Sequence, residues 1–392
     1  MVPKTQHILF AAFQADRGSN GGMESATQIF EALPGDFRWT MLTNRDTSRT
    51  ARWKSKGAQV IVAPLSDDAP RLVRGAQILN WSLRALLLAR KLSRQGRLVL
   101  HSNDIRSAQA LGPVAERAGL PFLHTVRDTK PAGEPYGAHW AAMAKRTTRI
   151  ITLSDDMSDM MLNALPEAKG KFTTIRSIVD LDRFAPVADL PALRADLGLA
   201  PDQIHLGVVA GVFAKKGQLK FLRDVMPHLI KARGEGEKTV HLHLIGDHDP
   251  ERNTYSRECA QAVDDQGLGE YVTFHGFTDR VSDWLAALDI VVVPSVREGL
   301  ARCMIEAMAC GVPVVSTEVC SAREMLQDTG AGVVVGQDDS PAMIDALRGL
   351  IGDPALRAQM GSVGRSTAEQ RFHLDRQAGE WRNLYRAAAD PS

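Results

Sequence analysis

The stretch Pro294-Ser-Val-Arg-Glu-Gly-Leu-Ala-Arg-Cys-Met-Ile-Glu-Ala-Met-Ala-Cys-Gly-Val-Pro-Val-Val-Ser316 decides how this chain folds. The run just before it, Ile290–Val293, is wholly apolar and β-rich, and Pro294 ends it. A loop carrying Glu298 and Gly299 follows, then helical sequence from about 301 to 309. Gly311 stops the helix and Pro313 opens a second apolar run. Strand, loop, helix, strand is the unit of a parallel α/β sheet. Glycine at the helix start lets backbone N–H groups approach a ligand closely. Free first-turn N–H groups and the helix dipole favour an anion such as a diphosphate. Glu298 in the loop and Glu306 about a turn and a half into the helix are poor phosphate ligands. As acceptors they suit the hydroxyls of a sugar and a ribose. On spacing alone, an ordinary loop and helix with solvated carboxylates is the commoner explanation, so the surrounding sequence has to decide.

Working outward, the same alternation fills the chain. Strands are expected at 7–13, 39–43, 59–63, 98–102, 121–126 and 149–154 in the first half. The second half offers 205–210, 240–246, 272–274, 290–294, 313–316 and 332–335. Amphipathic stretches at 23–32, 79–94, 107–118, 217–233 and 302–309 lie between them. Twelve strands are too many for one compact sheet, and the pattern restarts near residue 205. The expectation is α/β: two Rossmann-like, doubly wound parallel-sheet domains facing a cleft, with function in the loops after the strands. The linking region 179–201 is rich in Asp, Pro and Leu and has no strand pattern. Residues 368–389 read as an amphipathic helix on Phe372, Leu374, Trp381, Leu384 and Tyr385. The domains are therefore set at 1–185, 186–367 and a closing helix at 368–392.

Composition narrows the class. Of 392 residues, 44% are apolar and 24% charged, which excludes disorder, collagen and coiled coil. Cys259, Cys303, Cys310 and Cys320 form no C-x-x-C pair and are too scattered for a disulfide scaffold, so a reducing cytoplasm is expected. No apolar run approaches the ~20 residues a spanning helix needs. Arg84 and Arg90 flank the longest candidate, Ala85-Leu86-Leu87-Leu88-Ala89. The run at 8–13 reads as a buried strand and not a signal core: only Lys4 precedes it, no small-residue cleavage site follows, and Gln14-Ala15-Asp16-Arg17 breaks it. The net charge of +1 hides an asymmetry, since residues 1–185 hold 26 Lys and Arg against 17 Asp and Glu. Either the first half meets something anionic, or two oppositely charged halves attract each other. Residues 79–97 interleave Leu79, Trp81, Leu83, Leu86, Leu87, Leu88 and Leu92 with Arg84, Arg90, Lys91, Arg94 and Arg97. The leucines read first as a face packed on the sheet. The basic face reads as a peripheral, salt-sensitive contact with an anionic membrane.

Residues 298–315 resemble the signature of the retaining glycosyltransferases of family 4 (glycosyl transferases group 1, GT-B fold), which has the form E-G-[FL]-x-x-x-x-x-E-A-M-A-x-G-x-P-V-[VI]. The resemblance implies that Glu298 contacts the donor sugar and Glu306 the ribose hydroxyls. Backbone amides at Gly299, Leu300 and Ala301 would hold phosphate or sugar. Further segments are similar to the family in the same order along the chain. Gly21-Gly22-Met23-Glu24 resembles its Gly-Gly loop, where helix-start N–H groups meet the donor phosphate; Gly18-Ser-Asn-Gly21-Gly22 lacks the spacing of a dinucleotide fingerprint. His124-Thr-Val-Arg-Asp128 is similar to a segment ending in His-Asp or His-Thr. The resemblance implies donor contacts at Gly246 and Asp247, from Leu244-Ile-Gly-Asp247, and at Gly276 and Phe277, from the F-x-G loop near the base. The closing helix keeps Tyr385, with Leu374 in place of a usual Trp.

Three departures stand out. The family's Arg and Lys, which neutralise the leaving diphosphate, correspond to Gly211-Val-Phe-Ala-Lys-Lys-Gly217, one residue shorter and with Val212 where Arg is expected. Lys216 fits the Lys, Lys215 is the adjacent alternative, and Lys215 or Arg302 could replace the missing cation. Arg127 falls where many relatives place a His beside the donor sugar, while His124 lies earlier, inside the strand. Arg176-Ser-Ile replaces a Pro-Asn-Gly. The resemblance implies a metal-independent, retaining hexosyltransferase-type enzyme without a cofactor. Its donor domain would be the second, its acceptor domain the first. Catalysis would fall to Glu298, Lys216 and Arg127. The partners implied are a nucleotide sugar and a glycan or lipid-linked acceptor, with no nucleic acid, as in cell-envelope polysaccharide or glycolipid synthesis. The place expected is the cytoplasm or the inner face of the membrane. The alternatives are a nucleotide-sugar epimerase of similar fold and a non-catalytic sugar-nucleotide-binding scaffold.

Overall fold

The computed structural model describes residues 6–14, 21–33, 35–66, 69–127, 129–130, 134–231 and 238–389. Its described residues fall into two compact units. One takes those up to Ile178 together with those from Leu374 onward, and the other takes Val179–His373.

In the first unit, apolar runs such as Gln-His-Ile-Leu-Phe-Ala-Ala make strands buried on both faces, as a parallel sheet with helices on each side requires. The strands are β1 (Gln6–Ala12), β2 (Arg38–Thr43), β3 (Gln59–Val62), β4 (Arg97–Ser102), β5 (Phe122–Thr125), β6 (Arg149–Thr152) and β7 (Phe172–Thr174). Their order is β3-β2-β1-β4-β5-β6-β7, all parallel, so the sheet reverses direction of growth between β1 and β4. In such sheets loops after the carboxyl ends at that reversal make the binding crevice. Strand β7 was not expected from the sequence: its three half-buried residues are too few to show a period. The helix Leu374–Ala389 belongs to this unit. Trp381 and Tyr385 are buried in the core with Ile8, Phe10 and Trp39, and the Tyr385 hydroxyl lies 2.7 Å from His101 Nδ1. The sequence placed this helix from 368. Instead, the helix Pro354–Arg371 ends at Phe372, whose carbonyl accepts from Val179 N–H at 3.1 Å.

The helix Arg71–Ser93 departs from the packed-leucine expectation. Its buried side chains are Trp81, Ala85, Ala89 and Leu92, while Leu72, Leu79, Leu83 and Leu87 are 54–88% exposed. Small alanines let the helix lie close to the sheet and turn the leucines outward. No helix among the described residues is long and apolar enough to cross a membrane.

The second unit repeats the plan with β8 (Gln203–Val209), β9 (Thr239–Ile245), β10 (Val272–Gly276), β11 (Ile290–Val293), β12 (Val314–Thr317) and β13 (Gly332–Val335), in the order β10-β9-β8-β11-β12-β13. Here the reversal lies between β8 and β11, which pair parallel. The helix expected over 217–233 is two, Gln218–Asp224 and Met226–Lys231, because Pro227 cannot continue the first helix's ladder. Residues 232 and 233 lie outside the described ones.

Candidate active site

The loops after β8 and β11 are held together by a glycine. Gly217 has φ +72°, and a Cβ there would sit 1.8 Å from the Pro294 carbonyl oxygen. Only glycine fits this left-handed, crowded position. The contact seats the short 3-10 turn Ala214–Lys216 on the end of β11, and Val296 N–H donates to the Lys215 carbonyl at 2.9 Å. Lys216 Nζ thereby reaches Glu298 Oε1 at 2.6 Å. Ser295 Oγ donates to the same oxygen at 2.8 Å. Glu298 is only 6% exposed. Lys215 is exposed, so the structure separates the two lysines that the sequence left adjacent. Val212 is buried in the unit's core and its N–H donates to the Asp247 carbonyl at 2.8 Å. The position where an Arg was expected is thus a packing position.

Gly299 leads into the helix Arg302–Ala309, and its carbonyl accepts from Ser321 Oγ at 3.0 Å. Ser321 holds a φ of +71° to do so. Leu300 and Ala301 are buried, and Ala301 at the N-cap offers no side chain to the first-turn N–H groups. Such a helix start presents donors and positive potential to an anion. One turn in, Glu306 Oε1 takes Arg302 Nη2 at 2.9 Å and Nε at 3.1 Å. Both side chains are about nine-tenths buried. Burial pushes the thiol of Cys303, beside them, up to about 12.

Gly246 and Gly276 meet at the ends of β9 and β10, where Gly246 N–H donates to the Gly276 carbonyl at 2.9 Å. Gly246 also passes so close to Ala210 that a Cβ would lie 2.4 Å from its carbonyl oxygen. Asp247 is half-buried and Phe277 is 63% exposed.

In the first unit, Gly21 and Gly22 open the helix Gly21–Glu31 that follows β1. Asn103, just past β4, joins them to Arg127: its Oδ1 accepts from Arg127 Nε at 2.9 Å and its Nδ2 donates to the Gly22 carbonyl at 3.4 Å. Asn103 and Ser295 were missed in the sequence. Their only signal there is position, directly after a strand's carboxyl end at the sheet reversal. His124 is buried beneath, 2.8 Å from Ser102 Oγ, and burial with the nearby Arg127 charge pushes its imidazole down to about 3. It is a neutral core residue. Asp128 and residues 18–20 lie outside the described residues. Among the described residues, no group of three or more His, Cys, Asp and Glu is arranged to hold a metal ion.

Two Rossmann-like units of this kind, with a lysine–glutamate pair and an uncapped helix start after the strands of the second, define the GT-B class. Residues 203–353 match the family described as glycosyl transferases group 1, and the chain is related to that family. It is 30% identical over 210 residues to the lipopolysaccharide core biosynthesis mannosyltransferase LpsB of Rhizobium meliloti, covering 53% of this chain and 58% of that one. It is 27% identical over 279 residues to D-inositol 3-phosphate glycosyltransferase 2 of Catenulispora acidiphila, covering 67% and 64%. The chain thus spans less than two thirds of either relative. Its fold is shared with Anabaena HepE, solved in complex with UDP, at a TM-score of 0.79 and 20% identity over 97% of this chain and 100% of that one.

Proposed function

We propose that this chain is a retaining glycosyltransferase that moves a sugar from a nucleotide-diphosphate sugar to the hydroxyl of a glycan or lipid-linked acceptor. The observation that carries the reading is the Lys216–Glu298 pair beside the uncapped helix start at Ala301. An ammonium has three donors. It binds Glu298, and its positive charge beside the helix start favours a diphosphate on the helix amides. Glu298, as an acceptor, is read against a sugar hydroxyl, and Glu306, gripped by Arg302 at Oε1, against a ribose hydroxyl. The anomeric C–O bond to phosphate breaks as the acceptor oxygen bonds to the same face. The acceptor's proton passes to the departing phosphate oxygen. Catalysis then rests on positioning and on stabilising charge at the leaving diphosphate. Gly21, Gly22 and Arg127, linked through Asn103, belong to the same donor reading, as do Gly246, Asp247, Gly276 and Phe277. A related protein, HepE, is recorded with UDP, so UDP-sugars are the first donors to screen.

The acceptor is read as lipid-linked because of the helix Arg71–Ser93. Its exposed Leu72, Leu79, Leu83 and Leu87 lie alongside exposed Arg84, Arg90 and Lys91. Such a face suits an anionic bilayer, where each basic residue contributes ~1 kcal/mol. Release of nucleoside diphosphate from a panel of UDP- and GDP-sugars, with and without glycan and lipid acceptors, tests the activity. Release that needs no acceptor would favour an epimerase, and binding without release a scaffold. Sedimentation with phosphatidylglycerol vesicles, lost in high salt and weakened by Arg90→Gln, Lys91→Gln and Arg94→Gln together, tests the membrane contact. Equal recovery with phosphatidylcholine vesicles would overturn it.

A further inference from the structure

Four histidines with no part in the reading above line one face of the second sheet. His205 stands on β8, His241 and His243 on β9, and His275 on β10. Three of them form a chain. His205 Nε2 lies 2.9 Å from the Ala200 carbonyl, His205 Nδ1 lies 3.1 Å from His243 Nε2, and His243 Nδ1 lies 2.9 Å from His275 Nε2. A carbonyl only accepts, so His205 carries its hydrogen on Nε2 and accepts at Nδ1. His243 must then donate from Nε2 and accept at Nδ1, and His275 donates from Nε2. The assignment is unique for neutral rings: every hydrogen points from β10 toward β8. A second proton on Nδ1 of His205 would face the His243 N–H, and one on Nδ1 of His243 would face the His275 N–H unless that ring moves its hydrogen to Nδ1.

The surroundings offer that proton nothing. His241 stacks 4.7 Å from His243, its Nε2 on Thr273 Oγ1 and its Nδ1 buried without a hydrogen-bond partner. Trp284, from the helix Val281–Ala287, covers His275 and His243 at 4.2 and 5.5 Å. The helix's acid, Asp283, is engaged by Arg280. Asp289 accepts from His205 backbone N–H, and Arg194, from the helix Leu190–Asp196, pairs with it at 3.0 Å, so the two charges offset each other. No carboxylate bonds to any of the four imidazoles among the described residues. Burial pushes all four below their ordinary value, helped by neighbouring rings at His205, His243 and His275, and His243 goes to about 2.

β10 is the edge of the sheet, held by β9 alone. His275 is followed at once by Gly276, whose carbonyl takes the Gly246 N–H, and by exposed Phe277. We infer that the His205–His243–His275 chain is an acid-released latch, holding β10 and its Gly276–Phe277 turn in place when neutral and letting them go when protonated. The sign follows from linkage. Closed, the rings stay neutral; opened, His243 and His275 face water and take up protons below about pH 6.5. Each ring so exposed raises the open fraction about tenfold per pH unit below that value. Whether release also expels a nucleotide rests on the donor reading above, whereas the latch itself does not.

The test is hydrogen exchange on the whole chain without nucleotide, at about pH 7.5 and 5.5 and corrected for intrinsic exchange. Peptides over β10 are compared with peptides over β12 in the same unit. Opening at β10 relative to β12 should rise at least about tenfold on acidification. His243→Leu and His275→Gln should each remove one ring's share of that rise, the two together should hold the ratio nearly constant, and if the variants at His243 do not fold, the smaller rise in His275→Gln decides. A wild-type ratio that does not move overturns the latch, as does one that moves equally in His275→Gln. UDP binding is measured in parallel. Failure to bind at either pH, with the exchange behaviour intact, would count against the donor reading and leave the latch standing.

Discussion

Gly217 and Gly198 make a matched pair that isolates how the site is assembled. Both have φ +72°, and both lie in the second unit. Around Gly198 a Cβ would meet nothing within 4 Å; at Gly217 it would meet the Pro294 oxygen at 1.8 Å and the Pro294 carbon at 2.9 Å. Alanine at either position carries the left-handed backbone cost of roughly 1–2 kcal/mol. At Gly217 the turn must also retreat by ~1.5 Å to restore ordinary contact. That retreat breaks the Val296 to Lys215 hydrogen bond, worth about 1 kcal/mol, and pulls Lys216 from Glu298. A carboxylate 6% exposed then loses its ammonium partner, at a cost of about 1–3 kcal/mol once the partial exposure of Lys216 is allowed for. Gly198→Ala should therefore cost about 1–2 kcal/mol and Gly217→Ala about 3–6. Urea denaturation followed by circular dichroism reads both as midpoint shifts at constant slope. Equal shifts would refute the close approach at Pro294, and with it the account of how Lys216 meets Glu298.

Other outcomes follow from single groups. Glu306→Gln keeps shape but loses the charged acceptor, so donor affinity by calorimetry should fall about tenfold, hydrogen bonds to charged groups being worth ~1.5–3 kcal/mol. Lys216→Ala should lower kcat more than it weakens donor binding, because its charge counts most as the phosphate departs, while Lys215→Ala should be mild; the reverse ranking would exchange their roles. Activity should survive EDTA, and complete loss restored by magnesium or manganese would overturn the side-chain account of diphosphate binding. His124 has its folded value depressed to about 3, so its contribution is complete above about pH 6.5 and is lost as pH falls from there toward 3. By pH 5 that is about 2 kcal/mol, and His124→Leu should remove that share of the difference between urea midpoints at pH 7 and pH 5.

The stretch 294–316 was legible because each of its transitions is marked locally: Pro294 ends a strand, Gly311 a helix, and Pro313 opens the next strand. β11 and β12 and the helix Arg302–Ala309 fall close to where those marks put them. What stayed hidden depends on partners distant in sequence. The exposed face of the helix Arg71–Ser93 was misjudged because helical period shows that one side is buried but not which one. Here Trp81, Ala85 and Ala89 win the inner side, since alanines permit the closer approach. The histidine chain was invisible for a like reason: His205 and His243, or His243 and His275, share a face only once β8, β9 and β10 are in register.

Val212 shows the same limit at the centre of the site. Compared with a family pattern it is an absent arginine, and the natural inference is a weaker hold on the diphosphate. In the fold it is an apolar side chain that fills the core while its N–H ties β8's loop to Asp247. An arginine there would have to take its charge out of the core position that Val212 fills, since burying a charge is costly unless it is paired. The cation has to come from elsewhere in the loop, and the crowded Gly217 turn delivers Lys216 to Glu298 from the neighbouring strand end. Lys216, held by a glycine that nothing larger can replace, is the group we propose to meet the phosphate.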